Sequence, residues 1–163
     1  MKKAACLLLL FAPWLSFLAF GQGAPASSQT LDERVRAFLA SQKGQWRQEN
    51  VSETDGEFLH DLILKRGYTR ALEIGTSTGH SGIWQAWALS KTGGSLVTIE
   101  IEEFRHLAAV RNFKSSGVDV YIDARLGDAH ELVETLEGPF DFMETAVEPL
   151  SGGGISLSFR KKT

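Results

Sequence analysis

The sequence contains one cysteine in 163 residues, and that residue, Cys6, lies in an apolar segment near the start of the chain. A disulfide needs two cysteines, and a thiolate metal site usually needs several. Both kinds of cross-link are therefore excluded as the basis of the fold. The chain also lacks an excess of positive charge, because it has 17 Lys and Arg residues but 20 Asp and Glu residues. Since nucleic-acid-binding domains carry clustered positive charge, we predict no nucleic-acid partner.

The first part of the chain has the layout of a secretory signal peptide. Two lysines precede an apolar stretch over residues 4–20, and small residues follow it. We predict a signal peptide over residues 1–26, with cleavage after Gly21 or Ala26, and therefore a secreted or periplasmic protein. The alternative is an uncleaved membrane anchor, because the apolar run is nearly long enough to span a bilayer.

The rest of the sequence predicts one α/β domain. Residues 27–50 indicate a polar leader and an N-terminal helix, and a second helix begins at Ser52. Strands then alternate with helices, which is typical of a doubly wound, Rossmann-like fold with a mostly parallel sheet. In such a sheet the carboxyl ends of the strands share one edge, where ligands bind. The predicted strands cover residues 70–74, 95–99, 118–126 and 140–143, and the predicted helices between them cover residues 81–89, 102–114 and 129–136.

The most informative stretch is residues 72–82, which read LEIGTSTGHSG. A strand end carrying Glu73 leads into a turn of small residues that starts at Gly75, and a helix follows from Ser81. Such a turn lets the backbone and the free N–H groups of the helix approach a ligand. The carboxylate would repel a phosphate, so the turn fits a ligand that carries an ammonium group. The dinucleotide fingerprint needs a glycine where Ser77 stands, and no Gly-Lys-Ser/Thr of a P-loop follows.

This pattern resembles motif I of the class I methyltransferases that use S-adenosylmethionine (SAM). More narrowly, it is similar to the cation-dependent O-methyltransferases of the catechol and caffeoyl-CoA type, which typically read LEIGT-x-TG-[YH]-S at this place. The resemblance covers about residues 51–142. It implies transfer of a methyl group from SAM to a hydroxyl of a small, aromatic acceptor. By this resemblance, nine residues would bind the cofactor: Val51, Glu73, Gly75, Thr76, Ser81, Glu100, Ile101, Asp128 and Ala129.

Two of the acids in this set have an alternative explanation. Glu100 ends the second predicted strand, about 25 positions after Gly75, where an acid can accept both hydroxyls of a ribose. The alternative is a surface acid at a helix N-terminus. The resemblance also implies that Ile101 lies against the adenine and that Asp128 borders it. Asp128 is equally suited to cap the helix that follows, and the two roles are compatible.

Four aromatic residues near these motifs invite a functional interpretation that we do not favour, catalysis for two histidines and substrate stacking for two tryptophans. His80 lies in the turn and His130 follows Ala129, but neither has a visible partner in the sequence. We therefore interpret both histidines as packing residues and name no catalytic residue. Trp84 and Trp87, on the helix after the turn, are interpreted as core residues.

The resemblance ends at Met143. After the residues PFDF, members of the family continue with D-A-D-K, whose first aspartate binds a divalent metal, and a later Asp-Asn completes the metal site. Here Ala146 stands at the position of that aspartate, and no lysine takes the place of the family's base. The family therefore implies Mg²⁺, but we predict no metal ligands in this chain. We expect a methyltransferase domain over residues 51–143 and an aberrant tail over residues 144–163.

Two explanations for this tail remain open, a frameshift and an internal deletion that joins a remnant of a later strand. Either way we expect a C-terminally truncated family member whose sheet has an open edge, through which a homodimer could form. The function predicted from the sequence is a SAM-dependent O-methyltransferase, inactive if the truncation removes the acceptor half. The alternative is a non-catalytic cofactor-binding remnant or a self-associating partner domain.

The export prediction has a direct test. If residues 1–26 form a signal peptide, the protein recovered outside the cytoplasm should begin near Gln22 or Ser27. N-terminal sequencing of the exported protein measures this. An intact Met1 in the membrane fraction would instead indicate an anchor.

Overall fold

The structure is a computed structural model, and it describes residues 29–46, 50–147 and 154–159. The predicted signal peptide lies outside the described residues. The helices are α1 (Leu31–Ser41), α2 (Glu53–Arg66), α3 (His80–Thr92), α4 (Glu103–Ser116) and α5 (Ala129–Leu132). The strands are β1 (Arg70–Ile74), β2 (Ser95–Glu100), β3 (Ile122–Leu126), β4 (Phe142–Val147) and β5 (Gly154–Phe159). Two short 3₁₀ helices cover Asp119–Tyr121 and Val133–Thr135.

The strands form one sheet in the order β3-β2-β1-β4-β5. The first four strands are parallel to one another, and β5 pairs antiparallel with β4. This arrangement confirms the predicted α/β class with a mostly parallel sheet. Because parallel strands end at the same edge, the ends of β1, β2 and β3 lie next to one another there. None of the helices among the described residues is long and apolar enough to cross a membrane.

The two N-terminal helices each begin with a reciprocal capping box. Thr30 and Glu33 form a reciprocal capping box at the start of α1, and Ser52 and Asp55 form one at the start of α2. Each box satisfies backbone N–H groups that have no partner inside the helix. Helix α2 ends at Gly67, whose φ of 62° is left-handed. These caps fix where α2 begins, and so they place the chain around Ser52 beside the edge of the sheet.

Helix α3 is the centre of the core, since every residue from His80 to Leu89 is buried. It packs against α2 on one side and against the sheet on the other. The approach of α2 depends on Gly56, where a Cβ atom would lie 2.2 Å from Cδ1 of Trp84. The interpretation of Trp84 and Trp87 as core residues is therefore confirmed.

The structure differs from the predicted elements around the third strand. The residues before it form the 3₁₀ helix Asp119–Tyr121, so β3 begins only at Ile122. The helix predicted over residues 129–136 is a single α-helical turn followed by the 3₁₀ helix Val133–Thr135. Valine and threonine are β-branched and disfavour a helix, and the Thr135 hydroxyl bonds the Leu132 carbonyl. These local preferences explain why the helix does not continue.

The largest difference concerns the residues assigned to the aberrant tail. The fourth strand begins at Phe142 and continues to Val147, and its residues through Thr145 pair with β1. Residues 154–159 then pair antiparallel with the full length of β4. An antiparallel neighbour, unlike a parallel one, needs no long crossover from the strand before it. Leu157 packs toward the core while Ser156 and Ser158 are exposed, as expected for a strand with one buried face.

Candidate functional site

The turn between β1 and α3 lies over the end of β2. The N–H groups of Gly75 and Thr76 both donate to the Ile99 carbonyl, at 2.9 and 3.3 Å. Three residues of the turn have positive φ, namely Gly75 (91°), Ser77 (48°) and Gly79 (93°). At Gly79 an added Cβ would lie 2.6 Å from the Phe113 ring. The small residues that mark this turn in the sequence are therefore required by its backbone path and by its contact with α4.

Glu100 lies at the tip of β2 with its carboxylate held by two backbone groups. Its Oε2 accepts a hydrogen bond from the Ser77 N–H at 2.7 Å, and its Oε1 accepts one from the Glu102 N–H at 2.9 Å. Only 4% of the residue is exposed. An ionised carboxylate offers about four acceptor positions, so these two bonds fix its orientation and leave acceptor capacity for a ligand. Glu100 is thus a buried strand-tip acid rather than a solvated surface acid.

The tip of β3 lies beside that of β2, because the Gly127 N–H donates to the Glu100 carbonyl at 2.9 Å. Asp128 follows and caps α5, since its Oδ1 accepts from the His130 N–H at 2.8 Å. The capping role considered for Asp128 is therefore confirmed. Two apolar side chains at these tips are exposed, Ile101 at 64% and Leu126 at 44%. Each offers an exposed apolar side chain against which a planar ring could pack.

Glu73 lies beneath the turn and is fully buried. Its Oε1 accepts from the Ser81 hydroxyl at 2.6 Å and from the Gln85 amide at 2.9 Å, and its Oε2 accepts from the Thr98 hydroxyl. Burial raises the pKa of Glu73, while its hydrogen bonds to Ser81 and Thr98 act in the opposite direction. Glu73 and Ser81 are thus brought together as predicted, but their side chains bond each other inside the protein. A direct contact of either with a cofactor stays a prediction.

Val51 contacts the turn through its backbone. Its carbonyl accepts from Nδ1–H of His80 at 2.9 Å, and Nε2 of His80 accepts from the Trp84 indole N–H at 3.1 Å. The His80 ring also stacks on Trp46 with 4.4 Å between centroids. Both ring nitrogens are engaged, and burial lowers the pKa of His80, so the ring is neutral. The interpretation of His80 as a packing residue is confirmed, and only 2% of the residue is exposed.

Several residues that hold this site in place were not predicted from the sequence. Asn112 of α4 donates to the Thr78 carbonyl at 2.9 Å, and Asn50 bonds the Thr78 hydroxyl. Thr98 and Gln85 bond Glu73 from β2 and α3. The available signal was a polar residue at a buried position of a strand or helix, which needs an internal partner.

The divalent-metal site implied by the family does not fit the residues that the structure describes. None of them forms a group of three or more His, Cys, Asp or Glu residues that could hold a metal ion. Ala146 lies within β4 and pairs with Ile155. Nearby acids are already engaged, since Asp141 accepts from the Thr69 and Arg70 N–H groups and Glu144 is buried.

Comparison with known proteins agrees with this geometry. A sequence model of the O-methyltransferase family matches residues 24–145. The chain belongs to the O-methyltransferase family. It is 36% identical over 98 residues to a catechol O-methyltransferase of Niastella koreensis, covering 58% of this chain and 44% of that relative. It is 30% identical over 107 residues to caffeoyl-CoA O-methyltransferase 1 of Zea mays, covering 62% of this chain and 41% of that relative. The chain thus spans less than half the length of these two O-methyltransferases.

Solved structures of family members share the fold. An O-methyltransferase from Bacillus cereus in complex with SAH is 33% identical, with a TM-score of 0.57 over 71% of this chain and 52% of that one. The O-methyltransferase TomG from Streptomyces achromogenes in complex with SAM is 27% identical, with a TM-score of 0.58 over 71% of this chain and 65% of that one. These neighbours confirm the Rossmann-like methyltransferase fold.

The state of His80 predicts how stability depends on acid. Because its folded pKa lies below the usual 6.5, the unfolded chain binds a proton that the folded chain does not. Its contribution to the free energy of unfolding is complete above about pH 6.5 and is lost as the pH falls below that value. We expect His80→Gln to lose less stability than the wild type between neutral and mildly acidic pH, measured by urea unfolding. The exposed His130, changed to Gln, is the control and should keep the wild-type pH dependence; equal slopes for wild type and His80→Gln would contradict this assignment.

Proposed function

We propose that this chain binds SAM at the carboxyl ends of β1, β2 and β3 and serves the transfer of its methyl group to a hydroxyl of a small, aromatic acceptor. The observation that carries the proposal is the Glu100 carboxylate, fixed at a strand tip by the N–H groups of Ser77 and Glu102. The two adjacent hydroxyls of a ribose can each donate a hydrogen bond, and a carboxylate held in this orientation is suited to accept both. Family membership and the SAM and SAH in related structures support the same cofactor.

The proposed positions of the adenine and methionine parts of the cofactor follow from the order of the strand tips. The adenine would rest on Ile101 next to Asp128 and Ala129, where the exposed apolar surface lies. The methionine part would extend toward Gly75 and Thr76, over the turn whose backbone would approach the ligand most closely. The described residues thus supply a pocket wall that binds and orients the cofactor along the sheet edge.

In the proposed reaction the acceptor oxygen bonds the methyl carbon while the carbon–sulfur bond breaks. SAM becomes S-adenosylhomocysteine (SAH), and the acceptor hydroxyl releases its proton to solvent water. His80 is unsuited to take that proton, since both ring nitrogens are engaged and the ring is buried. The contribution we assign to the described residues is therefore cofactor binding and orientation, and we route no step through a metal ion.

A second candidate function is cofactor binding without catalysis. It is favoured by Ala146, which stands at the position where the family has its metal-binding aspartate.

Two further proposals, on export and on dimerisation, accompany either function. We propose export from the cytoplasm, on the strength of residues 1–26, with membrane anchoring as the alternative. We also propose that a homodimer forms through the β5 edge of the sheet, because an edge strand offers unpaired backbone groups.

The cofactor proposal predicts selective binding. Isothermal titration should detect SAH binding that is tighter than any binding of NAD, because Glu100 and Glu73 suit a ligand without phosphates. Glu100→Ala should weaken SAH binding by about 1–3 kcal/mol, through loss of hydrogen bonds to a charged group. Glu103→Ala, an exposed acid in the first turn of α4, is the matched control and should bind normally. Tighter binding of NAD would rule the proposal out.

Catalysis provides a separate prediction. We expect no Mg²⁺-stimulated methylation of a catechol by this chain, because without a metal or a lysine the hydroxyl stays protonated and is a weak nucleophile. Transfer of radiolabelled methyl from SAM, assayed with and without EDTA, measures this. Strong transfer that EDTA abolishes would mean that the chain does hold metal ligands, and Asp128, Asp141 and Glu144 would be the acids to test first.

A further inference from the structure

Two carboxyl groups lie next to each other in the core beneath the turn. Glu73 on β1 and Glu144 on β4 are register partners on neighbouring parallel strands. Their side chains leave the sheet on the same face, toward α3. Glu73 is 0% exposed and Glu144 is 1% exposed. Side chains paired in this way on adjacent strands are close enough to interact directly. The function proposed above uses neither Glu144 nor this pairing.

Gln85 of α3 joins the two carboxyl groups. Its Nε2 donates to Oε1 of Glu73 at 2.9 Å and to Oε2 of Glu144 at 2.7 Å. Its own Oε1 is buried and has no hydrogen-bond partner within the described part of the chain. The other charged groups that act on the pair are also acids, Glu100 on β2 and Asp55 on α2. Two buried negative charges without a cation between them are very unfavourable, whereas one shared proton removes one of the charges.

The hydrogen bonds indicate which carboxyl group carries the proton. Glu73 accepts from three donors, the Ser81 hydroxyl, the Gln85 amide and the Thr98 hydroxyl, which is the environment of a carboxylate. Glu144 accepts from Gln85 and lies against Glu73. Burial, followed by the charge of Glu73, raises the pKa of Glu144 to about 9. Glu73 is therefore the anion and Glu144 the acid at neutral pH.

The anion connects to the turn through two hydroxyl groups. The Thr98 hydroxyl donates to Oε2 of Glu73, so it must accept from the Thr76 hydroxyl, whose Oγ1 lies 2.5 Å from that of Thr98. Thr76 is the second residue of the turn and is itself buried. The protonation state of the pair thus fixes the direction of a hydrogen-bond chain that ends at the turn.

We propose that Glu144 is a positioning residue for the cofactor turn: it shares one proton with Glu73, and the pair holds Thr76 in place through Thr98. Its effect on ligand binding rests on the proposed function, whereas the sharing of the proton is independent of it. Loss of the proton would place two charges side by side and disrupt the chain that holds the turn.

The pH dependence of folding follows from the raised pKa. The folded chain keeps a proton on Glu144 that the unfolded chain loses above about pH 4.5. The stability contributed by this group is complete below the unfolded pKa and is lost as the pH rises toward about 9. Over that range the unfolding equilibrium constant should increase about tenfold per pH unit because of this one proton.

The test compares isosteric variants of the two acids. Glu144→Gln keeps a donor toward Glu73 and should fold. Its unfolding equilibrium constant should lack the increase of about tenfold per pH unit that the shared proton gives the wild type. Glu73→Gln leaves Ser81, Thr98 and Gln85 with one acceptor oxygen instead of two and should be far less stable. Glu57→Gln, on the exposed side of α2, is the control and should match the wild type. If the unfolding equilibrium of Glu144→Gln depends on pH as steeply as that of the wild type, the two acids do not share a proton. If Glu73→Gln is stable while Glu144→Gln is unfolded, Glu73 rather than Glu144 carries the proton.

Two further measurements keep the proposal independent of variants that fail to fold. The infrared spectrum of the wild type at neutral pH should contain a protonated-carboxyl band that is absent from Glu144→Gln, and its absence from the wild type would overturn the proposal. SAH affinity of the wild type should fall as the pH rises toward about 9, while that of Glu144→Gln should stay constant. Parallel loss of affinity in both proteins would overturn the link to the turn. If the wild type binds no SAH at any pH, the proposed function fails, and the slope and the infrared band still decide whether the proton is shared.

Discussion

The hydrogen bonding of the buried Glu73 carboxylate is the interaction on which the rest of the site depends. Its hydrogen bonds join three elements, because Ser81 and Gln85 lie on α3, Thr98 lies on β2, and Glu73 itself is on β1. A buried carboxylate without partners would cost several kcal/mol, so these elements cannot separate without a large penalty. The turn between β1 and α3 is thereby held from below, and its backbone is free to serve a ligand from above.

This anchoring explains how the turn maintains an unfavourable backbone. Ser77 has a left-handed φ of 48°, which costs a residue with a side chain of order 1 kcal/mol or more. In that conformation its N–H reaches Glu100 at the tip of β2. The strain therefore lies where it orients the acid to which we assign ribose binding. Asn112 of α4 also bonds the Thr78 carbonyl, so β2 and α4 both restrain the turn.

The sequence predicted the elements whose cause is local. The start of the second helix at Ser52, the small residues of the turn and the position of Glu100 each follow from nearby residues, and the structure has them as expected. The cofactor roles of the nine selected residues stay predictions, although the structure brings the tips of β1, β2 and β3 together. What sequence reasoning missed depends on contacts between distant segments. Gln85 gave no local signal, since its role exists only when β1 and β4 lie side by side under α3.

The fourth and fifth strands show why a family pattern has limited reach. Departure from the pattern at Met143 led us to expect an aberrant tail from residue 144, yet β4 continues to Val147, pairing with β1 through Thr145 and with β5 along its whole length. Strand pairing is satisfied by backbone hydrogen bonds that many sequences can supply, whereas binding a metal needs particular side chains at particular positions. A strand can therefore persist where its functional residues do not. Ala146 pairs within the sheet although it supplies no carboxylate, and two residues earlier Glu144 introduces an acid whose partners among the described residues lie in the core.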